Sequence, residues 1–227
     1  MRLRGNCGVA GMDEQSQRTA LLSALTTEHF VLQTANSSTY MEASARSTLY
    51  VMALSSSLVA MGFLAGSVDV LIPFTATVLP AIFLLGIFTV TRLVETGLES
   101  MHYLDGIACI RGYYRTLGPD AASYFTPEMG RWPEVESPAG RFGPVLALFG
   151  TTASMIAVIN NVVAGAGIAL LARLLVPSAP RWMDVAAGVA AAFVLTVLFY
   201  AYQRVRFGEI DVRSRKRKGP FFEGEKS

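Results

Sequence analysis

Charged residues are absent from four stretches of the chain: Ser47 to Val68, Val70 to Thr91, Phe142 to Ala172, and Val185 to Gln203. Each is mostly apolar, and a hydrocarbon core about 30 Å thick is crossed by roughly 20 helical residues rising about 1.5 Å each. The pattern predicts an all-α integral membrane protein with four transmembrane helices. The first two spans fall at 47–66 and 70–91, and two more lie within 145–203. A tight turn around Gly66, Ser67 and Asp69 makes the first two antiparallel neighbours. Pro80, near the middle of the second span, removes a backbone donor and predicts a bend there.

Helical periodicity continues outside the first two spans. From Thr27 to Arg46 there is no Gly or Pro. Thr27 can act as N-cap, Glu28 suits the first turn, and Glu42 and Arg46 stand at i,i+4. On the returning side Val94, Leu98, Met101, Leu104 and Ala108 recur at helical spacing. Gly97, Gly106 and Gly112 weaken that helix by about 1 kcal/mol each relative to Ala. The expected organisation is a flexible N-terminal tail over 1–26 and a helical hairpin over 27–118, whose returning helix covers 92–117. A Pro/Gly-rich loop follows over 119–144, then the last two spans, then a basic tail over 204–227. The first 26 residues lack the continuous apolar run of a cleavable signal peptide. Met12 opens a more ordinary terminus than "MRLRGNCGVAG", so both Met1 and Met12 are candidate starts.

The composition agrees with the spans, since 52% hydrophobic against 16% charged lies outside the usual soluble balance. Of the 19 Lys and Arg residues, all but Arg173 and Arg181 precede the first span, lie in the middle segment or follow the last span. By the positive-inside rule both termini and the middle segment are cytoplasmic, in a plasma (inner) membrane. The cluster Arg213, Arg215, Lys216, Arg217 and Lys218 follows directly after a span. Attraction to anionic headgroups, about 1 kcal/mol per basic residue, accounts for it. Nothing aromatic is interleaved to stack on bases, so no nucleic-acid partner is expected.

Candidate chemistry is sparse. Glu95, Glu99 and His102 share one helical face, and Glu99 to His102 has the Glu-x-x-His spacing of di-iron bundles. That chemistry needs a second such motif, and His29 has no Glu three residues before it, so a solvated or helix-pairing face also fits. Cys7 and Cys109 form no disulfide or zinc pattern. Without a P-loop or a nucleophile elbow, neither an enzyme nor a cofactor is expected.

Inside the spans, small and weakly polar residues form rows. Span one has Ser55, Ser56 and Ser57; span three has Ala153, Ala157, Asn161, Gly165 and Ala169; span four has Gly188, Ala192 and Thr196. Such rows let helices approach closely, within one bundle or in a homo-oligomer. Asn160 and Asn161 cannot face lipid cheaply. Measured from the midpoint between Arg141 and Arg173, they lie about 5 Å beyond the bilayer centre. Either they join helices by hydrogen bonds, or they constrict a pore.

Glu28 to Ala60, "EHFVLQTANSSTYMEASARSTLYVMALSSSLVA", followed by a second span and "RLVETGLESMHYLDGIACIRGYYRTLGPDAASYF", resembles a family of uncharacterised actinobacterial multi-pass membrane proteins. In layout the chain is similar to the membrane modules of SLATT and Pycsar effectors, which implies assembly in, and permeabilisation of, a membrane. Three functions fit. The first is an oligomeric pore or channel-like, effector-like protein. The alternative is a non-conducting scaffold that recruits a cytosolic protein partner through 92–144. The third, a small-molecule transporter, lacks an ionisable residue well inside a span to couple an ion.

Overall fold

Two long helices carry the first half of the chain, α1 over Cys7–Leu64 and α2 over Val68–Tyr114. A single turn, α3, covers Ala121–Tyr124; α4 spans Thr152–Leu175 and α5 spans Arg181–Lys218. The computed structural model describes residues 7–125 and 150–218, the side chains of 7–12, 122 and 209–218 excepted. The described residues contain no strand. Four helices are long and apolar enough to cross a membrane, over Asp13–Leu64, Val68–Tyr114, Thr152–Leu175 and Arg181–Gly208. Their outward faces suit a lipid solvent: Phe63 is 86% exposed, Phe88 70% and Phe193 68%. Large apolar side chains this exposed are costly in water and favourable in lipid.

Several boundaries differ from expectation. Residues 7–26 are helical, where a flexible tail was expected. From Met12 onward that segment has neither Gly nor Pro, and its Gln, Arg, Ala and Leu residues favour helix. Thr27 is therefore no N-cap. It lies inside α1, and its hydroxyl donates to the Ser23 carbonyl at 3.0 Å, the habit of a mid-helix threonine. The expected basic tail is likewise helical as far as Lys218. Arg213, Arg215, Lys216, Arg217 and Lys218 belong to this extension, their side chains lying outside the described residues. Most of the expected loop, 126–144, also lies outside them. Pro80 occupies an exposed position in α2, which is assigned as continuous through it.

The chain forms two compact units. In the first, residues 7–39 of α1 pair antiparallel with the end of α2. Thr26 Oγ1 meets Tyr114 Oη at 3.4 Å, and Ser100 donates to the Asn36 side-chain oxygen at 2.7 Å. Between these contacts Leu32 lies over Gly106, where an added Cβ would stand 3.0 Å from a leucine methyl. This is a close helix approach of the kind glycine permits.

The second unit contains the rest of α1 and α2 with α4 and α5. Its core gathers Tyr50, Ile82, Val90, Leu93, Val94 and Leu98 with Ala153, Ile156 and Ala157. The α1–α2 turn is short, the Ser67 amide donating to the Leu64 carbonyl at 2.9 Å. Asp69 stands in the first turn of α2, where the helix dipole favours an anion.

Candidate functional site

The second unit holds a series of buried polar groups between its helices. Asn160 of α4 is 3% exposed and bridges two other helices. Tyr50 Oη of α1 donates to its Oδ1 at 3.2 Å, and its Nδ2 donates to the Phe83 carbonyl of α2 at 3.3 Å. Room for this carboxamide comes from Gly86, one turn along α2, because a Cβ there would coincide with it. The Phe83 carbonyl lies in the turn after Pro80, so backbone, glycine and asparagine converge on one spot. An unpaired amide in lipid would cost several kcal/mol, which explains the full engagement.

Asn161 is 7% exposed and turns to α5. Its Nδ2 donates to Thr196 Oγ1 at 3.1 Å, and that hydroxyl donates in turn to the Ala192 carbonyl at 2.8 Å. One turn further, Gly165 and Gly188 bring the two backbones together, and a Cβ on either would stand 2.5 Å from the other's carbonyl oxygen. Ala192 and Ala169 flank the crossing at 3.0 Å from those positions. The small-residue rows of spans three and four thus pack against each other within one chain.

Along α4, whose midpoint falls between Val163 and Ala164, Asn160 and Asn161 stand within about 5 Å of the middle, on its N-terminal side.

Below them a third polar group ties α4 to α5. Thr151 caps α4 by accepting from the Ser154 amide at 3.2 Å. Gln203, fully buried, donates from Nε2 to Thr151 Oγ1 and accepts from Ser154 Oγ, both at 3.3 Å. The N-terminus of one helix is thereby finished by a side chain of another.

Next to the first span lies an ion-pair network. Arg46 and Arg92 each place Nε 2.8 Å from Glu42 Oε1, and Arg92 Nη2 reaches Glu42 Oε2 at 3.1 Å. Arg92 thus holds the carboxylate by both oxygens. The expected Glu42–Arg46 pair is present, and Arg92 joins it from α2. Hydrogen bonds from Arg92 first, then from Arg46, bring the Glu42 carboxyl from an ordinary 4.5 down to about 2. A depressed carboxylate contributes stability that is complete above its unfolded value and is lost as pH falls through the folded one. Unfolding titrations in detergent are therefore expected to show stability falling between about pH 4.5 and pH 2. Glu42→Gln should flatten this part of the profile; an unchanged slope would refute the linkage.

The remaining sequence candidates are dispersed. Ser56 is exposed on α1, and Ala157 is 3% exposed in the core. Glu95 pairs with Arg92 at 3.5 Å, so it belongs to the ion-pair network. Glu99 and His102 lie further along α2. Among the described residues no group of three His, Cys, Asp or Glu side chains is placed to hold a metal. Tyr50, Gly86, Gln203 and the role of Arg92 escaped the sequence reading. The available signals were weak: a tyrosine just inside a span, a lone glycine in the lower half of the second span, and a glutamine closing the fourth apolar run.

Compared with protein-family models, with curated proteins and with solved structures, the chain finds no match in any of the three.

Proposed function

We propose that the chain is a non-conducting, four-span membrane scaffold whose helical hairpin recruits a cytosolic protein partner. One observation carries this reading. Asn160 and Asn161, the residues best suited to line a pore, are 3% and 7% exposed and bonded to other helices of the same chain. A conducting path needs polar atoms turned toward a lumen, whereas here they hold four helices together. The distribution of Lys and Arg supports cytoplasmic termini in a plasma membrane, with the basic end of α5 against anionic headgroups.

The oligomeric pore is the second reading. It is favoured by the outward face of α1, where Ser55, Ser56 and Gly62 are exposed and no described helix covers Gly62. Reconstitution separates the two. Liposomes carrying the folded protein are expected to pass no more potassium or chloride than empty liposomes. Asn161→Leu should weaken the bundle by about 0.6 kcal/mol, seldom above 2, without creating a flux. A wild-type flux whose ion selectivity changes in Asn161→Leu would replace the scaffold with a pore.

A further inference from the structure

Among the described residues the first unit holds three buried nitrogen atoms without a hydrogen-bond partner: His29 Nδ1 on α1, Arg111 Nη1 in the last turn of α2, and Arg115 Nε in the turn that follows it, where the Arg115 amide still donates to the Arg111 carbonyl at 3.1 Å. Their proximity follows from the helix register. Thr26 meets Tyr114 on one side and Leu32 meets Gly106 on the other, which sets His29 opposite residue 110. Arg111 is adjacent to that point, and Arg115 stands one turn along the same face. Arg111 acts electrostatically on His29, whose pKa is lowered first by burial and then by this guanidinium. Among the described residues neither Arg111 nor Arg115 has an ion-pair partner, in contrast to Arg46, Arg92 and Arg173.

Two like charges one turn apart repel each other, and a buried guanidinium nitrogen left unpaired is costly. Both costs are relieved by one ligand, an anion with several acceptor oxygens. We propose that Arg111, Arg115 and His29 form a binding site for a phosphate-bearing anion at the α1–α2 contact, with the Thr26 and Tyr114 hydroxyls at its edge. Guanidinium forks match phosphate oxygens in pairs, and two forks offset by a helical turn suit a phosphate group better than a single carboxylate. The phosphate can come from a soluble compound or from a lipid headgroup. The site stands apart from the scaffold reading, which survives its failure.

The test uses the full chain in nanodiscs. In one arm the nanodiscs are pure phosphatidylcholine and pyrophosphate is titrated calorimetrically; in the other, graded phosphatidic acid replaces part of the lipid and retained lipid is counted by native mass spectrometry. Saturable binding is expected in one arm, which identifies the source. Arg111→Gln and Arg115→Gln should each weaken it about tenfold, while Arg18→Gln, an equal loss of charge on the exposed surface of α1, changes it less than about twofold. If circular dichroism shows that a Gln variant has lost helix, Arg111→Lys is read instead. It keeps the charge but loses the fork, and should weaken binding about threefold. No saturable binding in either arm, or equal weakening by Arg18→Gln, overturns the site.

Discussion

Gly86→Ala is expected to destabilise the folded bundle by about 2–4 kcal/mol in detergent unfolding, a large effect for one methyl group. The added Cβ would occupy the volume of the Asn160 carboxamide. Asn160 can withdraw only by rotating away, which abandons Tyr50 and the Phe83 carbonyl together. Interhelical hydrogen bonds in lipid average about 0.6 kcal/mol, so overlap and burial of the abandoned groups outweigh the bonds themselves. The three atoms nearest to the new Cβ all belong to the Asn160 side chain beyond its own Cβ. Asn160→Ala should therefore rescue Gly86→Ala, the double variant being little less stable than Asn160→Ala alone. Strictly additive losses would mean that the glycine and the asparagine do not share this space.

At the α4–α5 crossing no such rescue is available. A Cβ on Gly165 would lie 2.5 Å from the Gly188 carbonyl oxygen, a backbone atom that cannot rotate aside. Gly165→Val is expected to cost more than about 3 kcal/mol, because the helices must separate along their length and release the contacts of both small-residue rows. Gly188→Val should behave alike, since the contact is reciprocal. Combining the two should add little, because helices already apart no longer collide. Unfolding titrations of the singles and the double measure this. A cost below about 1 kcal/mol for either single variant would contradict the close approach.

The contrast between these sites shows what the sequence could disclose. Uninterrupted apolar runs reveal helices able to cross a membrane, because span length is a property of one segment. The Gly165 and Gly188 rows were also visible, as repeated small residues at i+4. What pairs with what was not. Gly86 and Asn160 lie on different helices with a whole loop between them, and neither pattern contains the other. Asn160 and Asn161 stand out in the sequence as polar groups within an apolar run, but their partners on three other helices do not. The start of α4 depends on Thr151, whose capping role becomes plain only once Gln203 is beside it. Similarly, residues 7–26 are expected as a tail, although from Met12 onward their propensity favours helix.

The polar contacts of α4 also imply an order of events during synthesis. The chain grows from its N-terminus, and Tyr50 and Phe83, the partners of Asn160, have already emerged when α4 arrives. Thr196 and Gln203, the partners of Asn161 and of the Thr151 cap, have not. A three-helix intermediate can thus bury one asparagine while the other waits in the bilayer for a helix still inside the ribosome. Joining α5 completes the second asparagine, the helix cap and the glycine crossing in one step, so the decisive commitment of the fold waits for α5 to leave the ribosome.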